Sequence, residues 1–160
     1  MTGMSGMSGM SGFGHWACFH LGDELFALPV EDVQRVIWQL AFTPVPLAPV
    51  HVAGMVNLRG QIVVSIDLRR LLDYPERPSQ QAGALLVLRN QGELIGLLVD
   101  EVGDVIALPR DDWCSPPDTL AERHRGLVFG ICPVGERLVL GLRAATLCKS
   151  VPTGTQASSP

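Results

Sequence analysis

Apolar and polar residues alternate along most of this chain in short runs, and glycine, proline and acidic residues separate the runs. A period of two over a few residues marks a half-buried strand. Residues 15–21 read as a first strand, with Trp16, Cys18 and Phe19 inward before Leu21. Gly22-Asp23 makes a turn, and residues 25–28 return until Pro29 closes the hairpin. A helical turn over 30–32 precedes a strand carrying Val33, Val36 and Ile37. Residues 43–50 contain Pro44, Pro46 and Pro49 and must be an extended connector, since proline serves neither a helix interior nor a central strand. Met55, Val56 and Leu58, then Ile62, Val63, Val64 and Ile66, flank Arg59-Gly60 and predict strand, turn, strand. A helical turn over 68–72 follows, with Asp67 placed to cap it.

The second half has the same texture. Strands are predicted over 84–88 and 94–99 around the turn at 90–92, and Val102, Val105, Ile106 and Leu108 carry the apolar pattern to Pro109. A polar loop spans 110–124, a hairpin over 127–134 and 138–142 turns at Gly135-Glu136, and a short helix covers 144–149. Residues 24–37 lie over 93–106 without a gap, and residues 54–71 lie over 130–147. Two matches in the same order indicate duplication of one short-strand unit. Each half is too small to hold a large core, so the halves should pack on each other. Regular short strands with turn signals point to small barrels. The expected organisation is a Met/Ser/Gly-rich disordered tail over 1–14 and a single domain over 15–151. That domain is built of two intertwined subdomains, about 15–82 and 83–151, and a flexible tail follows over 152–160.

Composition narrows the function. The chain is 47% hydrophobic and 18% charged, so it is globular. A net charge of −4 and 6% aromatic residues leave no basic or base-stacking face for nucleic acid. No apolar run approaches a membrane span, and no signal peptide is visible, which places the expected compartment in the cytoplasm with reduced thiols. Cys18, Cys114, Cys132 and Cys148 form no C-x-x-C pair, and the four histidines show no metal spacing. Phosphate-loop, dinucleotide and nucleophile-elbow motifs are absent, so neither cofactor nor metal is expected. The acidic pairs, Asp100-Glu101 among them, sit at turns and strand ends, where a solvated role is the default. A small thiol hydrolase using Cys114 or Cys132 with His124 needs a thiolate of depressed pKa in a cleft and stands as a minor alternative. The residues favour a binding module that is not an enzyme.

Arg59 is the foremost candidate in such a module. Its counterpart in the repeat is Gly135, so the duplicated framework does not call for arginine at that turn. Loop tips on rigid strands often carry function. Val33, Val36, Val102 and Val105 follow acidic residues in both halves. Valines three apart on a strand cannot share one face, so some are expected to lie exposed near the seam between halves, as a partner groove requires.

The ordered motifs Gly-Asp-Glu-Leu-Phe-Ala-Leu-Pro-Val, Gly-Met-Val-Asn-Leu-Arg-Gly-Gln-Ile-Val, Ile-Asp-Leu-Arg-Arg-Leu-Leu and Gly-Leu-Leu-Val-Asp-Glu-Val-Gly-Asp-Val-Ile resemble the CheW family of bacterial chemotaxis coupling proteins, over roughly residues 16–150. The resemblance implies an all-β fold of two five-stranded SH3-like barrels on a shared core, with short helical turns and a C-terminal helix. It implies a non-enzymatic adaptor, associated with membrane-bound receptor arrays, that joins the cytoplasmic tips of chemoreceptors to the regulatory domain of the histidine kinase CheA. Arg59 matches the arginine implicated in receptor coupling, and Asn57 belongs to the same element. Val33 and Val105 match positions near the receptor groove, and Val36 and Val102 join them in the partner-binding set. Arg35 matches a position near the kinase-binding surface, where the family commonly has glutamate. Val64 stands where a proline is common. These departures fit a divergent member, including one from a pilus-motility or other chemosensory-like pathway.

Overall fold

The alternating runs become strands throughout the computed structural model, which describes residues 13–38, 41–77, 83–120 and 122–151. In chain order they are β1 (Phe13–Leu21), β2 (Glu24–Pro29), a 3-10 turn (Val30–Asp32), β3 (Val33–Ile37), β4 (Val52–Leu58), β5 (Gln61–Asp67) and α1 (Leu68–Leu71). The second half supplies β6 (Ala84–Asn90), β7 (Glu93–Val99), β8 (Glu101–Pro109), a 3-10 turn (Arg110–Asp112), α2 (Glu122–Arg125), β9 (Val128–Val134), β10 (Arg137–Leu142) and α3 (Ala144–Lys149). The segment 110–124 is thus less irregular than the sequence predicts. The expected tails fall mainly on 1–12 and 152–160, outside the described residues, and β1 already begins at Phe13.

The described strands form two five-stranded sheets, ordered β9-β10-β2-β1-β8 and β4-β5-β7-β6-β3. Written this way, every strand of one sheet stands opposite its sequence repeat in the other, and the duplication is visible as topology. The parallel pair of β10 and β2 sets Leu140 beside Phe26, and that of β5 and β7 sets Val64 beside Ile95. Bulges recur at equivalent points, on β8 between Val102 and Val105 opposite Phe19 and Ala17 of β1, and on β3 between Val33 and Arg35 opposite β6. The halves of the sequence are not the two sheets. Sheet one takes β1 and β2 from the first half and β8, β9 and β10 from the second, and sheet two takes the rest. The chain changes sheet at the turn Val30–Asp32 and again at Asp100.

Each sheet curls, because residues of its two edge strands share one apolar cluster. Trp16, Cys18, Ala27, Leu108, Cys132 and Val139 fill the first barrel, and Val56, Leu85, Val87 and Leu98 fill the second. The opposite faces meet between the barrels, where Phe19, Phe26, Leu28, Ile66, Leu86, Leu88, Ile95, Leu97 and Leu142 pack together. The central strands β1, β2 and β10, and β5, β6 and β7, are therefore buried on both faces over much of their length, and these dispersion and hydrophobic terms dominate the stability. The connector is pinned where Thr43 pairs with Met55, through N–H···O contacts of 2.9 and 2.7 Å. Gly54 is required there. Its φ is +146°, and a Cβ would stand 2.8 Å from both Phe42 Cβ and the Thr43 carbonyl oxygen.

A buried ion cluster fastens α1 to the second change of sheet. Asp67 caps α1 as expected, its Oδ1 accepting from the Arg69 N–H at 3.0 Å. Arg69 donates to Asp100 from Nε at 2.8 Å and Nη2 at 2.6 Å, and Arg77 Nε donates to Asp100 at 2.9 Å. The Gly22 N–H adds a fourth bond at 2.7 Å. Asp100 is buried, not the solvated turn residue that its acidic neighbourhood suggests. Burial pushes its carboxyl up, but the donors from Arg69, Gly22 and Arg77 outweigh that and hold it at about 2.

Candidate partner-binding surface

Arg59 sits at the tip of the β4–β5 hairpin, in a two-residue turn closed by the pairing of Leu58 with Gln61. Both turn residues are left-handed, Arg59 at φ 54° and Gly60 at φ 87°, as a type I′ turn demands. The Asn57 side chain serves this turn, its Oδ1 accepting from the Gly60 N–H at 2.8 Å. A left-handed conformation costs an L-residue with a Cβ roughly 1 kcal/mol. In the repeat, Gly135 holds the corresponding place at φ 61°. The frame thus favours glycine, and this chain keeps an exposed arginine there at some expense of stability.

The curl of sheet two brings that tip to the mouth of its barrel. Arg35 stands opposite Val87 just past the β3 bulge, and Arg89 lies near the end of β6. Arg35, Arg59 and Arg89 rim one concavity of ≈ 230 Å³, with Gln34 and Gln61 beside them and Leu58, Val87 and Leu94 also lining it. Two of the residues singled out in the sequence, Arg35 and Arg59, are therefore neighbours on one surface. Arg89 was missed. Comparing it with its repeat counterpart, His20, was the available signal.

The candidate valines lie elsewhere, on the equivalent edge strands β3 and β8. Val33, Val36 and Val102 are half-buried and pack against the central core between the barrels. Val105 pairs with Ala17 and is 55% exposed, and Trp38, just past β3, is 63% exposed. The seam thus has an apolar edge contributed by both sheets, distinct from the arginine mouth.

The thiol alternative finds no support in these surroundings. Burial pushes the thiol of Cys132 up, away from the thiolate form, and Asp112 adds to this, while Cys114 is exposed and held in a β-bridge with Ile131. His124 is buried beside Tyr74, with ring centroids 5.9 Å apart, and its Nε2 lies 3.9 Å from Glu24 Oε1. These residues border a second cavity of ≈ 480 Å³ that no cysteine lines. Among the described residues, no cluster of His, Cys, Asp or Glu is arranged to hold a metal. No helix among them is long and apolar enough to cross a membrane.

Fold and surface together define a duplicated small-barrel protein whose distinctive side chains face outward at a barrel mouth and along an inter-barrel seam. The CheW-like domain model matches residues 15–151, and the chain belongs to that family. It is similar to chemotaxis protein CheW of Helicobacter pylori, at 29% identity over 82% of this chain and 79% of that one. It is also similar to protein FrzA of Myxococcus xanthus, at 30% identity over 69% of this chain and 71% of that one. Among solved structures, the scaffolding protein TtCheW of Thermoanaerobacter tengcongensis matches with a TM-score of 0.74 and 26% identity, covering 81% of this chain and 88% of that one.

Proposed function

We propose that this protein is a non-enzymatic adaptor that couples chemoreceptors to the histidine kinase CheA in a bacterial chemosensory array. The family match across nearly the whole folded region carries this reading, and the similar solved protein is described as a scaffold. The mechanism is positional. The adaptor holds two partners in fixed geometry, so movement of one alters the output of the other without bond chemistry in the adaptor. The half-buried apolar seam of Val33, Val36 and Val102, with exposed Val105, suits the apolar face of a receptor helix. Arg59 and Asn57 lie on the receptor-coupling element and Arg35 on the kinase side. Such a protein works in the cytoplasm beside membrane-bound receptors.

Reconstitution with receptor fragments and kinase tests the proposal. Wild type is expected to co-sediment both partners, and Arg59→Ala to keep its melting temperature while losing receptor-dependent kinase control. Failure of wild type to bind either partner would refute the reading. The likeness to FrzA, which does not bear the chemotaxis protein name, supports a second reading: the same adaptor role in a related pathway, such as one governing pilus motility. Binding to kinases and receptors of one pathway but not the other separates the two.

A further inference from the structure

The two barrel mouths are built on one frame but charged differently. At the second mouth stand Arg35, Arg59 and Arg89. Their counterparts at the first are Asp104, Gly135 and His20, set by the same strand pairings. No arginine of the trio is therefore a requirement of the fold. All three are exposed, and none of their side chains makes a hydrogen bond or ion pair with another described residue. Among the described residues, no carboxylate lines the concavity. Three like charges at one mouth repel, and Arg59 adds a left-handed backbone to that burden. Such a cluster is favourable only once a partner brings the opposite charge.

The lining narrows the partner. Leu58, Val87 and Leu94 offer an apolar floor, and the Gln34 and Gln61 amides offer donors and acceptors at the rim. The chain as a whole carries −4, so it has no excess of basic side chains from which to build a broad basic face. A nucleic acid or an anionic bilayer needs a broad basic face instead. We propose that the mouth of the second barrel docks a short acidic segment of a partner protein, its carboxylates pairing with Arg35, Arg59 and Arg89 and an apolar side chain resting on the floor. This deepens the adaptor reading and rests on it only for the partner being a protein.

The probe is the capped peptide Glu-Glu-Leu-Glu-Glu, titrated into the full chain while the arginine Nε–H signals are followed by NMR. The signals of Arg35, Arg59 and Arg89 should move together and saturate, while those of Arg110, Arg125 and Arg137 stay. Raising sodium chloride from about 50 to about 300 mM should weaken binding about tenfold, because exposed pairs are screened. Each single Arg→Gln substitution should weaken it about threefold, as expected for exposed ion pairs, and the triple substitution should abolish it without lowering the melting temperature. Absence of saturable shifts, equal shifts at all exposed arginines, or equal binding of the Gln-Gln-Leu-Gln-Gln peptide would overturn the proposal. So would selective shifts with phosphatidylglycerol vesicles or a DNA oligonucleotide but not the peptide. Failure of kinase and receptor co-sedimentation with the peptide result intact would instead sink the adaptor role and leave this docking chemistry standing.

Discussion

The corner after β5 and the corner after β10 occupy equivalent points of the duplicated frame, and they are held by different physics. At the first, Asp67 caps a one-turn helix while Arg69 and Arg77 clasp buried Asp100. At the second, the counterparts are Arg143, Ala145 and Glu31, all exposed. Arg143 makes no cap bond and lies over the Phe129 ring, 6.0 Å from its centroid. There α3 runs to six residues and is anchored by buried Ala144 and Leu147. One frame accepts either solution. An ionic corner carries a desolvation penalty that only complete pairing offsets, so it is sensitive to loss of a single partner. An apolar corner has no such dependence.

The sharpest way to break this comparison is to remove one ion. Asp100→Ala leaves Arg69 and Arg77 buried without their acceptor and should destabilise by about 3–5 kcal/mol, whereas Glu31→Ala should cost about 0.5 kcal/mol or less. Urea unfolding of both variants checks this, and equal losses would erase the distinction between corners. Next come Gly54 on β4 and its counterpart Gly130 on β9, each beside a register shift in its hairpin. Gly54→Ala meets both a clash and a positive φ and should cost about 3 kcal/mol. Gly130→Ala meets only the clash, 2.9 Å from the Cys114 carbonyl oxygen, and should cost about 1 kcal/mol less.

Acid gives a smaller effect confined to the ionic corner. The folded carboxyl of Asp100, at about 2, lies below its ordinary value of 3.8. Its contribution is therefore full above pH 4 and is lost as pH falls through 4 toward 2. That contribution is on the order of 2 kcal/mol and should be missing from the acid limb of the Asp100→Ala stability profile. The smallest effect should have the opposite sign. Arg59→Gly copies the residue of the other barrel and should stabilise by about 0.5–1 kcal/mol while abolishing receptor coupling. A loss of stability would show that the turn arginine supports the fold after all.

Much of the fold was legible along the chain. Strand positions followed from alternation, the hairpin at 58–61 from Arg59-Gly60 between branched apolar runs, and α1 from its Asp67 cap. The duplication was visible because like segments recur in the same order. Asp100 was misjudged because its acidic neighbour Glu101 suggests solvent, while its donors come from Gly22, Arg69 and Arg77, all distant in sequence. Arg89 carries little signal along the chain because a charged residue at a strand end is ordinary; its meaning comes from Arg35 and Arg59 beside it.

The sequence by itself determined which segments are strands, where they turn, and that one unit occurs twice, since these depend on side-chain period and local backbone preference. Tertiary structure decided how the copies share strands. A parallel pair such as β10 with β2 needs no local turn, so nothing near either strand in the chain records its partner. Once those pairs formed, each barrel closed with strands from both halves. Closure at a distance buried Asp100 and gathered three arginines at one mouth.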